Sequence, residues 1–153
     1  MPDLNDPEHQ REQKLNKALE ALHFAFRAIT AKPDAMLAEY GLSRVHHRVL
    51  YFVGRNPGLS INELLAILGV RKQSLNVPLR KLIELGLIQS QADTTDRRVK
   101  RLTLTRKGLG LENQLTGDER QRFSRVFNCV GPEGEAAWLK VMHLLAEDEF
   151  NEG

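Results

Sequence analysis

Gln73, Asn76 and Arg80, with Lys72 beside them, recur three or four residues apart. On a helix that spacing places them on one face. All four side chains are long and donate hydrogen bonds. Gln and Asn amides pair bidentately with adenine, and Arg guanidinium with guanine, in the major groove of duplex DNA. Arg71, Ser74 and Lys81 flank this set and suit phosphate contacts, which position a protein without specifying sequence. Arg97, Arg98, Lys100 and Arg101 form a second basic cluster, and a basic loop can place an arginine in a narrow minor groove. Asp93 and Asp96 share that loop. Their expected role is to pair with a neighbouring arginine and fix the loop's shape. An exposed pair contributes only ~0–1 kcal/mol, so orientation is the gain.

The charge distribution points the same way. Residues 71–107 carry ten basic and three acidic side chains, a net of +7, and the rest of the chain carries twelve basic and seventeen acidic, a net of −5. A cationic quarter on a mildly acidic body is what a polyanion-binding surface needs, although charge alone also describes an ordinary solvated face. The 153 residues suffice for one core, and the composition, 41% hydrophobic and 27% charged, is that of a globular chain. No apolar run reaches the ~18 residues of a membrane span, and Met1–Gln13 is polar and acidic, unlike a secretion signal. The expectation is a cytoplasmic protein with no membrane partner. The single Cys129 excludes an internal disulfide.

The elements that must position the two basic clusters follow from periodicity. Residues 1–9 read as a frayed tail. Leu15, Leu19, Leu22, Phe26 and Ile29 repeat at four and three, predicting a helix over 10–31 with a heptad-like seam for another helix or a second subunit. Pro33 is expected to close it. Ser43 begins a helix to Arg55 with Val45, Val49, Phe52 and Val53 inward. Ser60-Ile61-Asn62-Glu63 fits a capping box, with Ile61, Leu64, Leu65 and Leu68 inward and Gly69 as terminator. A short turn leads to a helix over 72–85 with Leu75, Leu79 and Leu82 buried and Gly86 ending it. The period then switches to two: strands near 87–92 and 100–105 enclose a polar turn, a β-hairpin. A long helix follows from Arg106 to about Val130, with a candidate interruption at Gly117. Gly131-Pro132 is a break, and a last helix covers about 133–149 with Leu144 and Leu145 on its apolar side. The fold class is therefore mainly α with a small β-hairpin wing: a winged helix-turn-helix (43–107) between an N-terminal dimerisation helix (10–34) and C-terminal helices (108–153) completing the dimerisation region, all one structural domain.

Leu59-Ser60-Ile61-Asn62-Glu63-Leu64-Leu65, Leu82-x-x-x-Gly86-Leu87-Ile88, Asp93-x-x-Asp96-Arg97-Arg98 and Leu102-Thr103-Leu104-Thr105-x-Lys107-Gly108 together resemble the MarR (multiple antibiotic resistance regulator) family over about residues 43–110. The resemblance implies a homodimeric, sequence-specific transcriptional regulator of double-stranded DNA. Many such proteins are repressors released by a small aromatic or anionic effector bound between the dimer and DNA-binding regions. It also implies that Arg98 is the wing-tip arginine and Asp96 the acid that steadies it. Two departures stand out. Pro78 lies inside the expected recognition helix, where it removes the amide that would bond the Ser74 carbonyl. It is expected to kink the helix or displace its start, at ~3 kcal/mol in an ordinary helix interior. Val77 stands where the family often has a basic or polar side chain.

Other residues suggest less. His46 and His47 project about 100° apart on a helix and do not form a metal-binding spacing, so no cofactor or metal is expected. Cys129 reads as a buried, inert thiol, and Trp138 and Phe150 as dimer-packing residues. No nucleophile elbow, phosphate loop or paired-acid motif supports catalysis. The rival reading is a winged-helix protein-interaction module without specific DNA binding, motivated by Pro78.

Overall fold

The structure is a computed structural model that describes residues 3–151, with side chains described to residue 147. Helix α1 (Pro7–Ala38) starts earlier and ends later than its sequence pattern suggests. Asp6 caps it by accepting the Glu8 amide at 3.4 Å, and Pro7 occupies the first turn, where its missing donor costs nothing. The expected tail of 1–9 is thus shorter. Pro33 does not close the helix; its ring is buried, as is Leu37 one turn later. One lost amide bond is outweighed by burying that turn against the core.

Helix α2 (Arg44–Arg55) buries Val49, Leu50 and Val53. Leu50, not the expected Val45, completes that stripe, because Val45 sits in the first turn at the edge of the packing and is exposed. Strand β1 (Leu59–Ser60) leads into α3 (Ile61–Leu68), where the Ser60 hydroxyl accepts the Glu63 amide at 3.1 Å and the Ser60 amide donates to Glu63 Oε1 at 3.4 Å. The capping box is formed as expected. Helix α4 (Lys72–Glu84) begins where expected and runs through Pro78 as one helix. Pro78 faces inward with Leu75, Leu79 and Leu82, so its ring adds to the core where the amide is lost.

Strands β2 (Ile88–Ala92) and β3 (Lys100–Leu104) form the hairpin, with Ser90 opposite Leu102 and Ala92 opposite Lys100. The sheet has a third strand: β1 pairs with β3 through Leu59 opposite Leu102, giving the order β1-β3-β2. Two residues between a turn and a capping box carry no period, which is why the pattern does not reveal β1. Helix α5 (Arg106–Asn151) is uninterrupted at Gly117 and broken at Gly131, with φ 80° and ψ 176°. That backbone is open essentially to glycine alone. Trp138 packs back across the break on Phe123 and Phe127, with ring centroids 5.0 and 5.7 Å away, and remains 38% exposed. Phe150 lies outside the described side chains. The core lies between α2, α3, α4, the sheet and the first half of α5, with Leu64, Leu82, Leu87, Leu102 and Leu115 fully buried.

The start of α5 locks these parts together. The Thr105 hydroxyl donates to the Gly86 carbonyl and accepts the Gly108 amide at 3.1 Å, while Lys107 Nζ donates to the Leu85 carbonyl at 3.1 Å. A Cβ on Gly108 would lie 1.9 Å from the Leu87 carbonyl oxygen. No rotamer change relieves a clash with backbone. Gly108→Ala is expected to destabilise the fold by at least the ~1–3 kcal/mol of an overpacked core, read as a lowered denaturant midpoint. An unchanged midpoint would mean that α5 does not abut Leu87 this closely.

Candidate nucleic-acid interface

The buried stripe of α4 turns its other side to solvent. Arg71, Lys72, Gln73, Ser74, Asn76 and Arg80 are all exposed, so the structure brings the first basic set together on one helix. Val77, singled out in the sequence as standing where a basic or polar side chain is common, is 71% exposed on this face. Lys81 leaves the set: it is half-buried, and its ammonium donates to the carbonyl of Gly41 in the turn between α1 and α2. It ties α4 to the body and is not a free phosphate ligand.

The wing between β2 and β3 is organised by its two acids. Asp93 Oδ2 accepts the Thr95 hydroxyl at 2.7 Å and the Asp96 amide at 3.1 Å, and Oδ1 accepts Arg101 Nε at 3.4 Å. These bonds, the Thr95 hydroxyl foremost, hold the Asp93 carboxyl at about 2, below its ordinary 3.8. A depressed carboxyl stabilises the loop fully above its ordinary value and loses that role only as the pH falls through about 2. Asp96 Oδ1 accepts both the backbone amide and Nε of Arg98 at 3.1 Å. The Arg98 side chain is nonetheless 92% exposed. It is aimed by Asp96 rather than withdrawn, as the two carboxylates' expected role requires.

Arg101 behaves differently from its neighbours. It reaches Asp93, Glu63 Oε1 at 3.1 Å and the Gly58 carbonyl at 3.5 Å. Glu63 also closes the capping box of α3, and its carboxyl is held below the usual range first by its hydrogen bonds to Ser60 and then by Arg101. Arg101 therefore fastens the root of the wing to the N-terminus of α3. The period-2 pattern places it on the face opposite Leu102, but nothing local in the sequence identifies its partners. Arg71, Lys72, Arg80, Arg97 and Lys100 form no ion pair among the described residues.

Helices α1, α2 and α5 line an open cleft of about 270 Å³ bordered by Phe26, Thr30, Asp34, Arg44, His47, Arg48, Tyr51, Phe52, Thr116 and Glu119. His47 Nε2 lies 3.1 Å from the Thr116 hydroxyl and its Nδ1 lies 3.4 Å from Glu119. Burial pushes His47 down and Glu119 up from their ordinary values. Thr116 in turn donates to the fully buried Glu112, which Arg55 holds at 2.7 Å. His46 instead accepts the Ser43 amide at 3.0 Å through Nδ1, so the two histidines serve different ends. Cys129, expected to be buried, is exposed: none of the described residues covers that side of α5. No helix among the described residues is long and apolar enough to cross a membrane.

The MarR family profile matches residues 40–99, from the end of α1 to the wing. The HTH-type transcriptional regulator PetP of Rhodobacter capsulatus is 39% identical over 136 residues, spanning 89% of this chain and 82% of its own. An HTH-type transcriptional repressor of Mycobacterium tuberculosis is 27% identical, spanning 75% and 83%. The crystal structure of Streptococcus pneumoniae FabT in complex with DNA superposes with a TM-score of 0.78 at 19% identity, covering 93% of this chain and 99% of that one. The fold of α2 through the wing, the acid-steadied Arg98 and a relative matched over nearly the whole length agree: the chain belongs to the MarR family of winged-helix transcription regulators.

Proposed function

We propose that this regulator is a ligand-responsive repressor that binds a pseudo-palindromic operator as a homodimer. In this reading α4 enters the major groove and the wing the minor groove. The observation that carries it is the set of exposed, unpaired cations on α4 and the wing beside an Arg98 aimed outward by Asp96. Lys72, Gln73 and Asn76 near the start of α4, and Arg80 one turn on, read base edges. Arg71, Ser74, Arg97 and Lys100 contact phosphates, and Arg98 enters the minor groove. Arg101 positions the wing and makes no contact of its own. Because α4 runs unbroken through Pro78, the motive for a DNA-blind interaction module falls away.

The dimer is supported by what a single copy leaves uncovered. Residues 10–28 of α1 are exposed on every side, including Leu15, Leu19, Leu22 and Phe26, and Leu144 and Leu145 on the last arm of α5 are more than half exposed. Apolar surface on this scale marks an interface. The repressor role is supported by the mycobacterial relative, named as one. The effector is supported by the cleft, whose aromatic walls and Arg48, in no ion pair among the described residues, suit a small aromatic anion.

Selection from a random duplex pool at ~150 mM salt is expected to enrich a palindrome with half-sites about one helical turn apart. Arg98→Ala lowers affinity for it about tenfold and flattens the salt dependence. Arg101→Ala lowers affinity with the salt slope unchanged, since the wing loosens without losing a phosphate contact. A pool that stays unenriched would refute the reading, and a flattened slope for Arg101→Ala would make that residue a contact after all. For the effector, a panel of small aromatic carboxylates is expected to include members that raise the melting temperature of the wild-type chain and not of Arg48→Ala. A panel without effect removes the aromatic anion from the proposal.

A further inference from the structure

Val77 is an apolar side chain, 71% exposed, on a helix face that is otherwise polar. Its position on that face is central. At 3.6 residues per turn, Gln73, Val77 and Arg80 fall within about 60° of one another, on the side away from the buried Leu75, Pro78, Leu79 and Leu82. The inward-facing ring of Pro78 follows directly, so residue 77 is held outward by its neighbour's burial. A valine there gains nothing from the core and lowers helix propensity slightly. Base edges in the major groove offer polar groups almost throughout, and the one apolar group is the C5-methyl of thymine.

We propose that Val77 is a specificity-determining residue that reads a thymine methyl at one position in each operator half-site, between the bases faced by Gln73 and Arg80. The inference rests on α4 being the base-reading helix. It names the recognition that replaces a polar contact at this point: a methyl-to-isopropyl contact that excludes water and discriminates against cytosine, which lacks the methyl.

Deoxyuridine differs from thymidine only by that methyl, so it isolates the contact. In the selected palindrome each thymine of a half-site is replaced in turn by deoxyuridine, and affinities of the wild type and Val77→Ala are compared. The wild type is expected to lose about fourfold at one thymine position, the worth of one buried methyl. Val77→Ala should lose a similar factor on the unmodified duplex and nothing further on the deoxyuridine duplex. Random-sequence affinity and melting temperature of Val77→Ala should match the wild type, because the side chain is exposed and alanine suits a helix. Loss of the methyl effect in the variant alone establishes the contact. A wild type indifferent to every substitution, or a variant as sensitive as the wild type, overturns it while leaving α4 as the reading helix. A pool from which no palindrome is recovered overturns both.

Discussion

The first turn of α5 passes so close to Leu87 that only a hydrogen fits at residue 108. Around that contact, Thr105 and Lys107 bond the carbonyls of Gly86 and Leu85 at the end of α4. The end of α4, the start of β2, the end of β3 and the start of α5 thus meet in one small volume. Helix α4, the wing and the long helix are joined there by the Thr105 and Lys107 side chains and by the close backbone approach at Gly108. A displacement of α5 is consequently a displacement of α4 and the wing together. Packed elements joined in this way shift as units. The Leu-Thr-x-Lys-Gly segment is the chemical description of this joint: leucine into the core, threonine as cap and strap, lysine as second strap, glycine as clearance.

The cationic surface solves a different problem. A loop dense in arginine repels itself, and two aspartates inside it offset part of its attraction for a polyanion. The structure resolves this: Asp93 spends its oxygens on the loop backbone, Thr95 and Arg101, and Asp96 orients Arg98. The acids set shape and direction, and Arg97 and Lys100 stay outside the ion pairs among the described residues. Arg101 extends the order to α3 through Glu63. The wing is consequently anchored to the helix-turn-helix at both its strand pairing and its side chains.

The sequence made legible whatever has a short-range rule. Ser60 with Glu63, the leucines of α4, Gly69 and Gly86 as terminators, the hairpin and the break at Gly131 are all local, and all stand as read. The misreadings are long-range. Pro33 forbids one hydrogen bond, but the burial of Leu37 decides whether the helix continues. Lys81 and Arg101 look like their free basic neighbours, and only the fold brings Gly41 or Glu63 beside them. The pair Arg55–Glu112, separated by 57 residues, has no local signature at all. Leu50 for Val45 is an error of phase at a helix start, where the first turn overhangs the core. Cys129 has another cause: its side of α5 is left uncovered by the described residues, so burial inferred from apolar neighbours in the sequence is not burial in the fold.

A palindromic operator, two wings and two reading helices all presuppose a pair of chains whose α1 and α5 arms cover one another. Native mass spectrometry of the chain alone, and of its complex with the selected duplex, tests this directly. The account predicts a free species of twice 17.4 kDa and a complex of two protomers per duplex, with no one-protomer complex at any ratio. A free monomer that loads the duplex one copy at a time would contradict it.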